Sequence, residues 1–120
     1  MIPKGAFLRV VDNSGAKMVQ VIGMYGHIGQ YAGIGNVVKV AIKESKGEKV
    51  AKGEMKKAVV VETRYPTHRA NGSFVQYGRN ACVLLSEKGT PIGGAVRAML
   101  SWEFGKPRWK RLSVLGGRMF

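Results

Sequence analysis

Residues 58–85 read AVVVETRYPTHRANGSFVQYGRNACVLL: two aliphatic runs, Ala58–Val61 and Ala81–Leu85, held apart by a basic, turn-rich arm. Both runs are short and β-branched or aliphatic, the pattern of strands covered on both faces rather than of a helix long enough to stand alone. Pro66 lacks the N–H that a central strand must donate, and Asn71-Gly72 offers the positive-φ positions of a tight reversal. The arm is therefore predicted to leave the sheet as a hairpin. On it stand Arg64, His68, Arg69 and Arg79 with Tyr65, Phe74 and Tyr77. Guanidinium forks beside π-faces suit a phosphate chain and its bases, which points to nucleic acid.

Composition agrees. At 120 residues and 13.1 kDa the chain is one domain, able to bury roughly two thirds of its unfolded surface around a single core. Twenty Lys and Arg against 7 acids give a charge of +13 and a pI near 10.3, a self-repelling excess that calls for a polyanion. An anionic membrane fits less well. No apolar run approaches the roughly 20 residues of a spanning helix, and the positive charge is not gathered along one amphipathic helix. One cysteine excludes an internal disulfide framework and a multi-cysteine zinc site, and suits a reducing compartment. Cys82, between Ala81 and Val83, reads as an inert core thiol. His27 and His68 lie in loop-like segments with no acid beside them, so neither catalysis nor a metal or other cofactor is expected. Met1–Val11 has neither a secretory apolar core nor an Arg- and Ser-rich presequence. Either no import is needed or a targeting peptide has been removed.

In chain order, Phe7–Val11 alternates as a first strand and Asp12-Asn13-Ser14-Gly15 supplies a turn, with Lys17 beside it as a candidate phosphate contact. Met18–Met24 is predicted as a second strand. The glycine-rich loop Tyr25–Gly35 lacks the Gly-Lys-Ser/Thr ending and following helix of a phosphate-binding P-loop, and strand Asn36–Ile42 follows instead. Lys43, Lys46, Lys49, Lys52, Lys56 and Lys57 then alternate with Glu44, Glu48 and Glu54, for a net charge of +3. Gly47 and Gly53 argue against a continuous helix, leaving either a solvated hairpin tip or a basic ribbon that follows phosphates as point charges. After the turn Glu87–Pro91, apolar residues Val96, Met99 and Leu100 recur at helical spacing over Ala95–Glu103. Met99 and Trp102 read as core or protein interface. The tail from Gly105 carries Arg108, Lys110 and Arg111 around Trp109, and residues 97–120 sum to +5. Such ends order against RNA.

The arm also carries a recognisable spacing: Ala58–Val61, nine residues, Asn71-Gly72, four residues, Tyr77, two residues, Asn80, two residues, Val83-Leu84. With Val11–Lys17, Tyr31–Gly35, Ile42-Lys43-Glu44, Lys52-Gly53 and Pro91-Ile92-Gly93 in order, residues 6 to about 94 resemble the large-subunit ribosomal protein fourteen family of the bacterial and organellar type. Short strands joined by glycine turns imply a barrel or a sandwich, and the resemblance selects the barrel. The expected fold is all-β with short C-terminal helices. Residues 1–93 would form a small five-stranded β-barrel with a projecting β-hairpin ribbon, and 94–120 a helical, basic segment.

The resemblance implies a structural role in the large ribosomal subunit: binding large-subunit rRNA, bridging to small-subunit rRNA, and touching large-subunit proteins three and nineteen. The residues expected to carry the RNA are Lys17, Lys43, Lys46, Lys49, Lys52, Lys56, Arg64, Arg69, Arg79, Arg97, Arg108, Lys110 and Arg111. Where the family continues Pro-Ile-Gly with Thr-Arg, this chain has Gly94-Ala95, so contacts made through that pair, including the surface for a ribosome-silencing factor, are not carried over. That departure suggests an organellar ribosome, mitochondrial before plastid or bacterial. The rival reading is a free-standing barrel for single-stranded nucleic acid, which would need an aromatic platform on one sheet face.

Overall fold

The computed structural model describes residues 2–12, 14–25, 31–46, 50–68, 71–93 and 96, with Thr67 described by its backbone alone. Among them run β1 (Ile2–Pro3), β2 (Phe7–Val10), β3 (Ala16–Met24), β4 (Tyr31–Ala32), β5 (Val37–Ser45), β6 (Met55–Glu62), β7 (Thr67–His68), β8 (Phe74–Val75) and β9 (Ala81–Leu85). Strands β2, β3, β5, β6 and β9 close into a barrel in that order, while β1–β4 and β7–β8 form two-stranded ribbons outside it. The all-β, five-stranded barrel expected from the sequence is the observed fold. The helix expected over Ala95–Glu103, with Met99 and Trp102, and the basic tail fall outside the described residues, save that Val96 bridges Asp12.

The strands divide into two kinds, each for a reason visible in its residues. In β2 and β5 every second residue enters the barrel, Leu8 and Val10, then Val38, Val40 and Ile42, while Phe7, Arg9, Lys39 and Lys43 face out. β6 and β9 are apolar on both faces because both faces are covered. Ala58, Val60, Cys82 and Leu84 join the interior core with Leu8, Val19 and Val40. Val59, Val61, Val83 and Leu85 join a second core with Val11 and Val96. Each such valine or leucine contributes about 1.5–3 kcal/mol of transfer free energy.

Closure falls to an unusual pair. All other barrel neighbours are antiparallel, but β2 and β9 run parallel, with Arg9 opposite Ala81 and Val10 opposite Cys82. The seam is extended by Val11 N–H to the Cys82 carbonyl at 3.1 Å. It is extended again by the Asp12 carboxylate, which accepts the Leu84 N–H at 3.1 Å and the Ser14 N–H and hydroxyl at 3.1 and 2.6 Å. Register shifts in β3 around Met18 and before Gly23, and in β6 between Val60 and Glu62, supply the local bending that lets five strands meet.

The arm after β6 does leave the barrel. β7 and β8 pair antiparallel, Thr67 with Val75 and His68 with Phe74. Its reversal works differently from the expectation that Asn71 and Gly72 both take positive φ. Gly72 does, at 87°, but no described non-glycine residue has a positive φ. Asn71 instead acts through its side-chain oxygen, which accepts the Ser73 N–H and hydroxyl at 3.0 and 2.6 Å, an Asx turn. The lysine-rich segment also differs in extent: β5 runs on to Ser45, where it pairs with Ala16, and Val50 returns to the core. The Ser45 hydroxyl fixes that return by donating to the Val50 carbonyl at 2.8 Å.

Candidate nucleic-acid interface

In β5 the inward positions are taken by Val38, Val40 and Ile42, which leaves Lys39 and Lys43 on the outer face of the barrel. Lys17, Lys43, Lys46 and Lys52 are exposed; Lys56 is half-buried and pairs with Glu54 at 3.6 Å. Lys49, Arg69, Arg97, Arg108, Lys110 and Arg111 lie outside the described residues.

Two of these lysines come together. The backbone of Lys46 donates to the Gly15 carbonyl at 2.9 Å, drawing the end of β5 against the turn before β3. Lys17 and Lys46 then line one hollow with Arg9, the turn residue Gly15 and the acids Asp12 and Glu44. The neighbouring Lys46 ammonium, by hydrogen bonding and by charge, pushes the pKa of Lys17 below its ordinary 10.5, and Glu44 opposes this. Two exposed ammonium groups that disturb each other are a natural seat for a phosphate, which would relieve both.

Two of the arm's arginines, Arg64 and Arg79, are tied to neighbouring groups of the protein. Arg64 donates through Nε to the Gly78 carbonyl at 3.1 Å, and its backbone N–H donates to Asn80 Oδ1 at 2.9 Å. Arg79 reaches back to Glu62 in a fork, Nε to Oε2 at 3.0 Å and Nη2 to Oε1 at 3.2 Å. The Glu62 carboxylate raises the Arg79 pKa further, by its hydrogen bonds first. These arginines root the arm on the barrel. At its base Tyr65 is 57% exposed, and farther out Phe74 is 59% exposed with its ring 6.0 Å from His68 at a tilt of 49°.

Cys82 is fully buried, and burial together with the Asp12 carboxylate pushes its thiol far up, so it stays protonated and unreactive at neutral pH. Among the described residues no three of His, Cys, Asp and Glu gather as a metal set, and no helix is long and apolar enough to cross a membrane. Arg9, Lys39 and Lys88, which the sequence reading did not single out, are exposed as well. Arg9 and Lys39 sit at outward positions of alternating strands, and that period-2 pattern was the available signal.

Compared with known proteins, residues 1–120 match the family described as Ribosomal protein L14p/L23e. The chain is 38% identical over 116 residues to large ribosomal subunit protein uL14 of Aquifex aeolicus (strain VF5). It is 37% identical over 116 residues to the protein of that name from Aquifex pyrophilus. Each alignment spans 96% of this chain and 96% of the relative.

Proposed function

The chain belongs to the ribosomal protein L14p/L23e family, and from that premise we propose that it is a structural constituent of the large ribosomal subunit that binds large-subunit rRNA. The observation that carries this is similarity along nearly the whole chain to proteins named for that subunit, joined to a charge of +13 that RNA would neutralise. No reaction is assigned. Lysines and arginines displace counterions from crowded phosphates, the barrel holds them at fixed spacings, and the arm fills a gap between RNA helices.

In this reading Lys17, Lys43, Lys46, Lys49, Lys52, Lys56, Arg64, Arg69 and Arg79 meet phosphates, Arg64 and Arg79 also set the arm's angle, and the basic segment 94–120 adds Arg97, Arg108, Lys110 and Arg111 to the same single domain's RNA contacts. The chain sits at the subunit interface, bridging to small-subunit rRNA and touching large-subunit proteins three and nineteen. The Gly94-Ala95 departure favours an organellar ribosome, mitochondrial before plastid, and weakens any silencing-factor contact there.

Sucrose-gradient sedimentation of native lysate, with mass spectrometry of each peak and sequencing of RNA crosslinked to the chain, tests the whole. Co-migration with large subunits and crosslinks to large-subunit rRNA are expected, and the compartment of that rRNA decides localisation. A chain that stays at the top of the gradient on short RNA would instead be the single-strand-binding barrel.

A further inference from the structure

We propose that a second hollow on the barrel wall, between Tyr25 and Lys88, grips an RNA backbone through Lys39, Lys57 and Lys88; this rests on the rRNA-binding reading above. The hollow shares no lining residue with the one around Lys17 and Lys46. Lys17 lies near the start of β3 and Tyr25 just beyond its end, about 25 Å apart at the rise of a strand. The two hollows therefore meet different stretches of a polyanion.

Three observations converge on a phosphodiester as the ligand. Lys39 and Lys57 are directly opposite each other on β5 and β6, an arrangement that repels and persists at a cost unless an anion lies between. On the other side of Lys39 the partner in β3 is Gly23, which offers no side chain to cover or neutralise it. Finally, the Lys57 ammonium is parked 5.1 Å from the centroid of the Tyr25 ring, which orients the charge without cancelling it. Lys88 joins from the turn after β9 and Lys56 also lines the hollow, with Glu87 as the one acid among the described lining residues against four lysines.

An acidic peptide is the competing occupant, and the backbone argues against it. Peptides that lie along a sheet draw on an unpaired strand edge. Here β6 is paired on both sides, Lys57 standing between Lys39 and Leu85, so no main-chain groups are on offer. What remains is a set of point charges over a floor of Leu85 and Ile92, suited to phosphates and indifferent to base identity.

The test uses the full chain with two probes, a 16-base-pair RNA duplex and a glutamate-rich decapeptide, read by lysine acylation footprinting and by the salt dependence of RNA affinity. The duplex should protect Lys39, Lys57 and Lys88, and Lys39→Gln/Lys57→Gln should lower the log–log salt slope by about two, near one per lost phosphate contact. Removing two facing like charges leaves the melting temperature at or above that of the unaltered chain, so the variant stays folded. The Lys17→Gln/Lys46→Gln variant should keep the Lys39 protection. If RNA binds with an unchanged slope and these lysines label as in the free protein, the second site is overturned while the rRNA-binding reading stands. Protection by the peptide but not by RNA overturns it in favour of a protein partner. If the unaltered chain binds no RNA even at low salt, the rRNA-binding reading fails and the site with it.

Discussion

Asp12 and Leu84 are 72 residues apart, yet one carboxylate oxygen of Asp12 accepts the Leu84 N–H at 3.1 Å while the other ties down the Ser14 turn. One buried side chain thus joins the turn between β2 and β3 to the last strand of the barrel. Asp12→Ala leaves a buried N–H without an acceptor and should cost about 2–4 kcal/mol in urea denaturation. Asp12→Asn, which keeps an oxygen but loses the charge, should recover part of that. A loss below about 0.5 kcal/mol for the alanine variant would show that water replaces the carboxylate.

The Glu62–Arg79 fork should behave as a root for the arm. Glu62 is almost buried and the Arg79 side chain is 39% exposed, so solvent screening takes a share of the charge interaction. Arg79→Ala is expected to lower stability by about 1–2 kcal/mol. Arg79→Lys should restore little, because an ammonium cannot make the two parallel bonds. Full rescue by lysine would mean that charge alone matters there.

Cys82 ties stability to alkaline pH. Its ordinary pKa is 9.0, and burial, then Asp12, raise it in the folded chain. Below pH 9 both states keep the proton; above it the unfolded thiol ionises first, so stability is lost as pH rises, at up to about 1.4 kcal/mol per pH unit. Cys82→Ala lacks this component. Its stability deficit at pH 7 should narrow between pH 9 and 10.5, where lysine titrations act on both proteins alike; a constant gap would refute the shift.

Lys17 and Lys46 should titrate as neighbours. Lys46→Gln removes the ammonium that depresses Lys17, so the Lys17 pKa, followed by side-chain NMR, should climb back toward 10.5. Inorganic phosphate added to the unaltered chain should raise it as well, since an anion favours the charged lysine. No movement in either experiment would place the two ammonium groups farther apart in solution.

What could be read ahead of the structure follows from which forces are local. Ala58–Val61 and Ala81–Leu85 announced themselves because strands covered on both faces need uninterrupted apolar residues, and the pairing of Val59 with Val83 follows. The two-residue strands β1 and β4 are too short to show any period, and the start of β3 at Ala16 rather than Met18 was hidden because register shifts there disturb the alternation. Asp12 was legible as a turn former, but its reach to Leu84 was not. The facing of Lys39 and Lys57 belongs to neither strand alone: each looks like an ordinary solvated lysine until register sets them opposite. The Glu62–Arg79 fork likewise depends on the path of an arm whose length a sequence shows and whose angle it does not.

The parallel seam between β2 and β9 has a consequence for synthesis. Strands β3, β5 and β6 can each pair on emerging with the barrel strand made before it, but Arg9 and Val10 must wait for Ala81 and Cys82. A nascent chain that has not yet delivered Leu85 is an open sheet with two bare edges, the form most prone to pair with the wrong strand. The last strand is thus a latch, and the interval before it arrives is when a chaperone, or RNA already in reach of the lysines, has the most to shield.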